Sequence, residues 1–243
     1  DDRRADSALD YSENARRDYE KAMKALADKN WEAVDQLFND VRRNYGYSRY
    51  ARLAELRLAD ANYQQEKLAE AISGYKSFVH DYPNDPEVPY ARFRIAKAEY
   101  ESVSQSVLLP PLEERDLASV NDALVTIRGY LEDFPASPHT EELQYMLEVV
   151  VGLLARHELY VARYYLNEDR FDAAAARVLH GLESFERSGL EAEALLLLAE
   201  IRLRQKNRVE ARTLLERLIA EHPESPFSVP ARRYLAPLWV PVA

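Results

Sequence analysis

The stretch NWEAVDQLF, residues 30–38, begins with a polar residue that is followed at once by the large side chain of Trp31. Apolar side chains also occupy positions 34, 37 and 38, which is the spacing of one face of an α-helix. A tryptophan in the first turn of a helix is placed to wedge against a preceding helix. The stretch therefore predicts the second half of a helical hairpin, and similar wedges should recur along the chain.

The pattern recurs in five ungapped copies. They start at residues 30, 67, 119, 170 and 207, which are 37, 52, 51 and 37 residues apart. When the copies are aligned, equivalent positions form five columns, with one residue from each copy. The wedge column holds Trp31, Leu68, Val120, Phe171 and Arg208 (with Val209 beside it), and the small or branched column holds Val34, Ala71, Ala123, Ala174 and Ala211. The third column holds Phe38, Tyr75, Ile127, Val178 and Leu215, the fourth holds Val41, Phe78, Tyr130, Gly181 and Leu218, and the terminal column holds Tyr45, Tyr82, Phe134, Phe185 and His222.

Successive columns from the wedge to the fourth are 3, 4 and 3 residues apart, which defines one face of a helix. Proline follows the terminal column in three of the five copies and ends the helix there. A repeat of roughly 34 residues built from two helices is the tetratricopeptide pattern. Its first helix should carry a large apolar residue followed by a small one, as in Leu58–Ala59, Ile95–Ala96 and Leu198–Ala199. We predict an all-α fold of five tetratricopeptide-like hairpins, stacked as a right-handed superhelical solenoid.

The unequal spacings predict where the repeats are interrupted. Residues 102–116 form an insert in which two adjacent prolines exclude continuous helix, and Leu108, Leu109 and Leu112 are expected to pack it. Residues 138–167 predict one long helix of about 45 Å. We therefore predict an N-terminal domain of three repeats over 12–136 and a C-terminal domain over 137–238, with Trp239 exposed in a terminal cap.

Composition and motifs exclude several classes of function. The net charge of −10 argues against nucleic-acid binding, and the absence of cysteine excludes thiolate metal sites in this chain. The sequence contains no HExxH, GxSxG or Walker motif, and its five histidines (His80, His139, His157, His180, His222) are scattered. We predict no catalytic residues, no metal site and no cofactor. No apolar run approaches the roughly 20 residues of a membrane span.

Sixteen tyrosines are more than core filling requires, and many lie in the first helices of the hairpins. In tetratricopeptide geometry the first helices line the concave side. Aromatic side chains suit peptide binding because they offer large contact area at low entropic cost and a polar group for backbone contacts. The predicted peptide-binding trough consists of Tyr19, Met23, Leu53, Tyr63, Tyr90, Phe93, Lys97 and Tyr100. Packing between repeats is the alternative interpretation of these residues.

The chain also resembles a known family. The stretches YEKAMKALADKNWEAVDQLFNDV (19–41) and, above all, LLARHELYVARYYLNEDRFDAAAARVLHGL (153–182) are similar to the BamD family, over about residues 12–236 and including the unequal repeat spacings. This family comprises lipoprotein subunits of the bacterial β-barrel assembly machine. The resemblance implies a non-enzymatic scaffold at the periplasmic face of the outer membrane, alongside other lipoproteins of the machine. It also implies a lipid anchor on an N-terminal cysteine that lies outside this chain.

The resemblance further implies two binding functions. The C-terminal repeats are expected to dock on a POTRA domain of BamA, with Arg177 as the contacting residue. The N-terminal repeats are expected to receive the targeting peptides of unfolded outer-membrane proteins, which are extended and end in an aromatic residue with a free carboxylate. Tyr90, Phe93 and Tyr100 would hold the aromatic end, and Lys97 would pair with the carboxylate.

Two other functions stay open at the level of sequence. The same fold would suit a periplasmic tetratricopeptide adaptor for cell-envelope enzymes, which pull-down partners would distinguish. A helical-repeat hydrolase of the muramidase type would need two carboxylates facing each other across a cleft, for example one that includes Glu101 or Glu141.

Overall fold

A computed structural model describes residues 2–105 and 117–239 of the chain. The described residues are helical or lie in short connections, with no strand among them. In chain order the helices are α1 (Asp2–Ala27), α2 (Trp31–Asn44), α3 (Arg49–Gln64), α4 (Leu68–Asp81), α5 (Val88–Gln105), α6 (Ala118–Asp133), α7 (Thr140–Asn167), α8 (Phe171–Ser184), α9 (Glu191–Arg204), α10 (Arg208–Glu221) and α11 (Ser228–Leu235), followed by a 3₁₀ turn at Ala236–Trp239. The predicted all-α class of tetratricopeptide-like hairpins is confirmed.

The helices belong to two compact units. The first comprises Asp1–Gln105 and Val125–Leu143, and the second comprises Ser106–Leu124 and Gln144–Ala243. Two apolar clusters in the first unit lie around Phe38 and Tyr75, and two in the second lie around Val178 and Leu215. Each cluster therefore contains a third-column residue of one repeat. The predicted functional division at residues 12–136 and 137–238 stays a prediction.

The five repeated stretches are the second helices of the hairpins, and they end where the terminal column predicts. In every copy the backbone N–H of the terminal residue donates to the carbonyl of the fourth-column residue, at 2.9 Å for Tyr45 to Val41 and 3.1 Å for Phe185 to Gly181. The same bond links Tyr82 to Phe78, Phe134 to Tyr130 and His222 to Leu218. These bonds satisfy a carbonyl that the last turn of each helix would otherwise leave without a donor.

The three inner columns form the buried face of these helices. All five residues of the small column and all five of the third column are inaccessible to solvent, and the fourth column is buried in every copy. One helix cannot bury such a face alone, so within a unit each second helix needs the helices that flank it. The predicted pattern is confirmed at all fifteen inner positions.

The wedge column is confirmed in four copies and wrong in the fifth. Trp31 and Phe171 pack half-buried against the clusters of their repeats, and Leu68 and Val120 are buried. In the last copy Arg208 is exposed, and the neighbouring Val209 is 80% exposed. The side chain of Arg208 lies at the surface, where its Nη2 donates to the carbonyl of Pro237 at 3.5 Å.

A left-handed residue closes four of the hairpins. Lys29 lies at φ 54°, and its equivalents occupy the position two residues before each wedge residue. The next backbone N–H reaches back to the first helix, at 3.0 Å for Asn30 to Ala25. This is the Schellman ending of a helix, in which glycine is the usual left-handed residue. Here the position is held by Lys29, Glu66, Asp169 and Lys206.

The predicted long helix is observed, whereas most of the predicted insert lies outside the described residues. The helix predicted over 138–167 is present as α7, Thr140–Asn167. Most of the 102–116 insert, including Leu108, Leu109 and Leu112, lies outside the described residues, as does the side chain of Trp239. Residues 102–105 are the last turn of α5, so the helix extends into the predicted insert. Within 2–105 and 117–239 the structure offers no helix that would serve as a membrane span.

A close approach of α3 and α4 depends on small residues. A Cβ placed on Gly74 would lie 2.9 Å from the Cβ of Ala59, closer than two such atoms can come. By contrast, a Cβ on Gly129 of α6 would have its nearest neighbour, Arg92 Nη2, at 3.8 Å. Both glycines lie inside helices, but only Gly74 is required by packing.

We expect Gly74→Ala to lower the free energy of unfolding by about 1 kcal/mol, because the overpacking cost exceeds the gain in helix propensity. Gly129→Ala is the matched control and should raise it by about 0.5–1 kcal/mol, because only the propensity gain remains. Urea unfolding followed by helical circular dichroism measures both. Shifts of the same sign in the two variants would contradict this account of the α3–α4 contact.

Candidate functional site

A groove of about 510 Å³ lies on the first unit between α3 and α5. Tyr63 and Glu66 come from the end of α3 and the turn after it, whereas Tyr90 and Arg94 are one turn apart on α5. Helical spacing places residues three or four positions apart on one face, which brings these side chains together. The groove is lined by Asp60, Tyr63, Gln64, Glu66, Leu68, Tyr90, Arg94 and Glu101.

The groove is built on a buried carboxylate. Asp60 is 5% exposed and accepts hydrogen bonds from three side chains. The Tyr75 and Tyr90 hydroxyls donate to its Oδ1 at 2.6 and 2.8 Å, and Arg57 Nη1 donates to its Oδ2 at 2.6 Å. A buried carboxylate is tolerated when its oxygens are satisfied in this way. Asp60 therefore fixes the positions of the aromatic rings of α4 and α5.

Arg94 is the cation of the groove. Its guanidinium lies over the Tyr63 ring at 3.8 Å from the ring centroid and within 5.9 Å of the Tyr90 centroid. Its Nε donates to the Tyr75 hydroxyl at 3.2 Å. No carboxylate among the described residues forms a salt bridge with it. Arg94 thus offers guanidinium N–H donors to an anionic ligand.

The tyrosines of the groove are held as neutral phenols. Burial, followed by the charge of Asp60, raises the pKa of Tyr90 to about 12. Burial and a hydrogen bond to Glu101 raise the pKa of Tyr63, and its hydroxyl donates to Glu101 Oε1 at 2.5 Å. These hydroxyls are therefore hydrogen-bond donors throughout the neutral pH range.

Two predicted trough residues are engaged within the fold. Phe93 is 4% exposed and stacks on His139, with 3.7 Å between ring centroids. Lys97 forms a salt bridge with Glu142 at 2.7 Å. The structure therefore contradicts the expectation that the Phe93 ring is open to a peptide, because the connection before α7 covers it. Lys97 has a carboxylate partner already.

The other predicted trough residues fall in several places. Tyr19 accepts a hydrogen bond from Arg57 Nε at 3.3 Å and is thereby linked to the Asp60 network. Met23 packs against the core of the first repeat, and Leu53 lines a separate cleft beside the Arg52–Asp85 ion pair. Tyr100 is half-buried on α5. Of the eight residues, Tyr63 and Tyr90 are the two that line the groove, and their role in binding stays a prediction.

Sequence analysis missed Asp60, Arg57 and Arg94. Arg57 and Asp60 are three residues apart on α3, the spacing of an intrahelical ion pair. An acidic residue directly after the small residue of the Leu58–Ala59 pair was a signal, because that position faces the next helix. Arg94 has one partner on its own helix, Tyr90, but its closest contacts, Tyr63 and Tyr75, come from α3 and α4 and have no local signal.

The second unit contains a different polar cluster around Arg177. Arg177 Nη1 lies 3.4 Å from Oε2 of Glu158, a buried residue of α7. His180 Nδ1 lies 3.6 Å from Oε1 of the same carboxylate. The side chains of Arg177 and His180 are 45% and 55% exposed. Two exposed basic groups of α8 are therefore held by one buried acid. No cluster of metal-ligating side chains occurs among residues 2–105 and 117–239.

The paired helices, the buried columns and the two surface clusters define a helical-repeat protein of the tetratricopeptide type, a class that binds other proteins. The family model described as YfiO, outer membrane lipoprotein, matches residues 12–212. The chain belongs to this family.

Curated relatives are outer membrane protein assembly factors named BamD. The protein from Xylella fastidiosa (strain 9a5c) is 25% identical over 211 residues, which cover 84% of this chain and 72% of the relative. The protein from Caulobacter vibrioides is 27% identical over 171 residues, covering 70% of this chain and 54% of the relative. The protein from Neisseria gonorrhoeae is 24% identical over 213 residues, covering 86% and 79%.

Solved structures of tetratricopeptide proteins are also similar. A thermophilic protein of this kind from Thermus thermophilus has a TM-score of 0.40 at 16% identity and covers 92% of this chain and 98% of its own. The TPR2AB domain of yeast Sti1, in complex with pHSP90, has a TM-score of 0.46 at 12% identity and covers 92% and 83%.

We expect Asp60→Asn to lower the free energy of unfolding by about 3 kcal/mol, because it leaves the Arg57 guanidinium without its buried counter-ion. Asp81→Asn, at an exposed aspartate that contacts His80, is the matched control and should change it by less than about 0.5 kcal/mol. Urea unfolding at pH 8 measures the free energy of unfolding of both variants. Equal, small effects would mean that Asp60 does not organise the groove.

Proposed function

We propose that the chain is a non-enzymatic scaffold subunit of the outer-membrane protein assembly machinery, at the periplasmic face of the outer membrane. Its C-terminal repeats dock on the POTRA region of BamA, and its N-terminal repeats receive targeting peptides of unfolded outer-membrane proteins. The observation that carries the proposal is the family match over residues 12–212, which includes the Arg177 block. The relatives' name, outer membrane protein assembly factor, supports the same role.

The docking half of the proposal depends on Arg177. Its guanidinium is half-exposed and oriented by Glu158, so donors remain for a partner group. Arginine is enriched among the residues that dominate binding energy at protein interfaces. The exposed tyrosines of α7, Tyr160 and Tyr164, add side chains of a type that is also enriched at interfaces.

The peptide half depends on the α3–α5 groove. An extended peptide that ends in an aromatic residue would place its ring against Tyr63 and Tyr90, and its terminal carboxylate would pair with Arg94. Arg94 replaces Lys97 in this role, because Lys97 is paired with Glu142 whereas Arg94 has no described carboxylate partner. A carboxylate and a guanidinium form charge-assisted hydrogen bonds in the favourable bidentate geometry.

We expect Arg177→Glu to weaken binding of the isolated BamA POTRA region at least tenfold, which is about 1.4 kcal/mol, because the change reverses the charge at the docking site. Arg217→Glu is the matched control: Arg217 is an exposed helical arginine with its own acidic partner, Glu221. Calorimetric titration measures both affinities. Equal affinity for the two variants would refute the docking role of Arg177.

For the groove we expect Arg94→Gln to weaken binding of a synthetic alternating peptide that ends in phenylalanine by about tenfold, since a hydrogen bond to a charged group contributes about 1.5–3 kcal/mol. The same peptide with an amidated C-terminus lacks the carboxylate, so it should bind the unchanged protein and Arg94→Gln equally weakly. Lys97→Gln is the matched control and should bind as the unchanged protein does. Fluorescence anisotropy measures these affinities. If Lys97→Gln weakened peptide binding and Arg94→Gln did not, the carboxylate would pair with Lys97 and not with Arg94.

Capture experiments separate this function from an adaptor for cell-envelope enzymes. The scaffold function predicts recovery of BamA and other lipoproteins of the assembly machine on the immobilised chain. An adaptor would recover a peptidoglycan synthase instead.

The two acids considered for a hydrolase lie in different surroundings. Glu101 accepts the hydrogen bond of the Tyr63 hydroxyl, and Glu141 is exposed in the first turn of α7.

A further inference from the structure

The fourth repeat departs from the others at one buried position. The fourth column holds a large apolar side chain in four copies: Val41, Phe78, Tyr130 and Leu218. In α8 the same position is Gly181. Glycine inside a helix is less favourable than alanine, so the departure is unfavourable for α8 on its own.

The space that Gly181 leaves is taken by an acid. A Cβ on Gly181 would lie 3.3 Å from the Cβ of Glu158, so the glycine allows the stem of Glu158 to lie directly against α8. Glu158 is 7% exposed. Removing a carboxylate from water is costly unless charged or hydrogen-bonding partners compensate.

The compensating partners come from α8 itself. Arg177 precedes Gly181 by four residues and His180 is its neighbour, so both start from the turn of α8 that faces Glu158. Arg177 Nη1 lies 3.5 and 3.4 Å from the two carboxylate oxygens. One guanidinium nitrogen is thereby committed to Glu158, while the other N–H donors stay available to a partner.

We propose that Glu158 is a positioning residue for partner binding, which holds the Arg177 guanidinium in its binding orientation, and that Gly181 is present to admit it. This inference rests on the proposed docking role of Arg177. Immobilising a long side chain at an interface costs conformational entropy, and a residue that is already held avoids that cost. The expected gain approaches tenfold in affinity.

The first test uses the chain alone. Nitrogen-15 relaxation of the Arg177 Nε–H group reports whether the guanidinium is held. Glu158→Met keeps a long side chain in the buried site and removes the charge. The Nε–H order parameter should fall clearly in Glu158→Met and stay unchanged in Glu183→Met, which alters an exposed glutamate of the helix that carries Arg177. An unchanged order parameter in Glu158→Met would overturn the inference.

The second test is a double-mutant cycle with the BamA POTRA region. Glu158→Met should weaken binding by roughly five- to tenfold in the unchanged background and have no further effect in the Arg177→Gln background. Replacing a buried ion-pair member by an apolar residue of similar size, with Arg177 free to turn into water, should leave the chain folded, which thermal unfolding verifies. An equal loss in both backgrounds would assign Glu158 a structural role only and overturn the inference.

The two proposals fail in distinguishable ways. If Arg177→Gln binds POTRA as tightly as the unchanged protein does, the docking role of Arg177 falls and the inference falls with it. If Arg177→Gln weakens binding and Glu158→Met does not, the docking role stands and the positioning role of Glu158 alone is overturned.

Discussion

The structure depends on the burial of one helix face that is repeated five times. The small, third and fourth columns of α2, α4, α6, α8 and α10 are removed from water in every copy, and a large apolar side chain gains about 1.5–3 kcal/mol from such burial. Within a unit, each face is covered by the first helices that flank it. The repeat is therefore stable only beside its neighbours, and the outward surfaces of the helices are free to vary.

This dependence explains which features the sequence revealed. Buried columns must keep their size and spacing, so they were visible by self-comparison, and the terminal column located the ends of five helices. The wedge position lies at the rim of the packed face, and it is half-buried or exposed in three of the five copies. Arg208 is accordingly tolerated there, and no spacing rule predicts it. The hairpin turns were also hidden, because Lys29, Glu66, Asp169 and Lys206 hold the left-handed position that glycine would mark.

The candidate groove was predictable only in part, for a related reason. Counting along one helix assigns a residue to a face, and Tyr63 of α3 and Tyr90 of α5, each assigned in this way, both line the groove. It does not say what the neighbouring element lays over that face. His139 covers Phe93 and Glu142 pairs with Lys97, and both partners come from a connection and helix start more than forty residues further along the chain. The Arg57–Asp60 pair has a local spacing, but the hydrogen bonds of Asp60 to Tyr75 and Tyr90 come from other helices. The contacts of Arg94 with Tyr63 and Tyr75 likewise come from other helices, which no local pattern contains.

Departures from the repeat are more informative about function than the repeat itself. A packed helix face gains nothing from Asp60 or Glu158, because each carboxylate loses hydration and needs charged or phenolic partners in return. Both acids nevertheless lie beneath groups that reach the surface: Asp60 beneath Tyr90 of the groove, and Glu158 beneath Arg177. In each case a glycine of the following helix stands nearby in the packing, Gly74 against Ala59 next to Asp60, and Gly181 against Glu158 itself. In both repeats a buried acid holds side chains that reach the surface, and at Glu158 the neighbouring glycine lets the stem of the acid lie against the next helix.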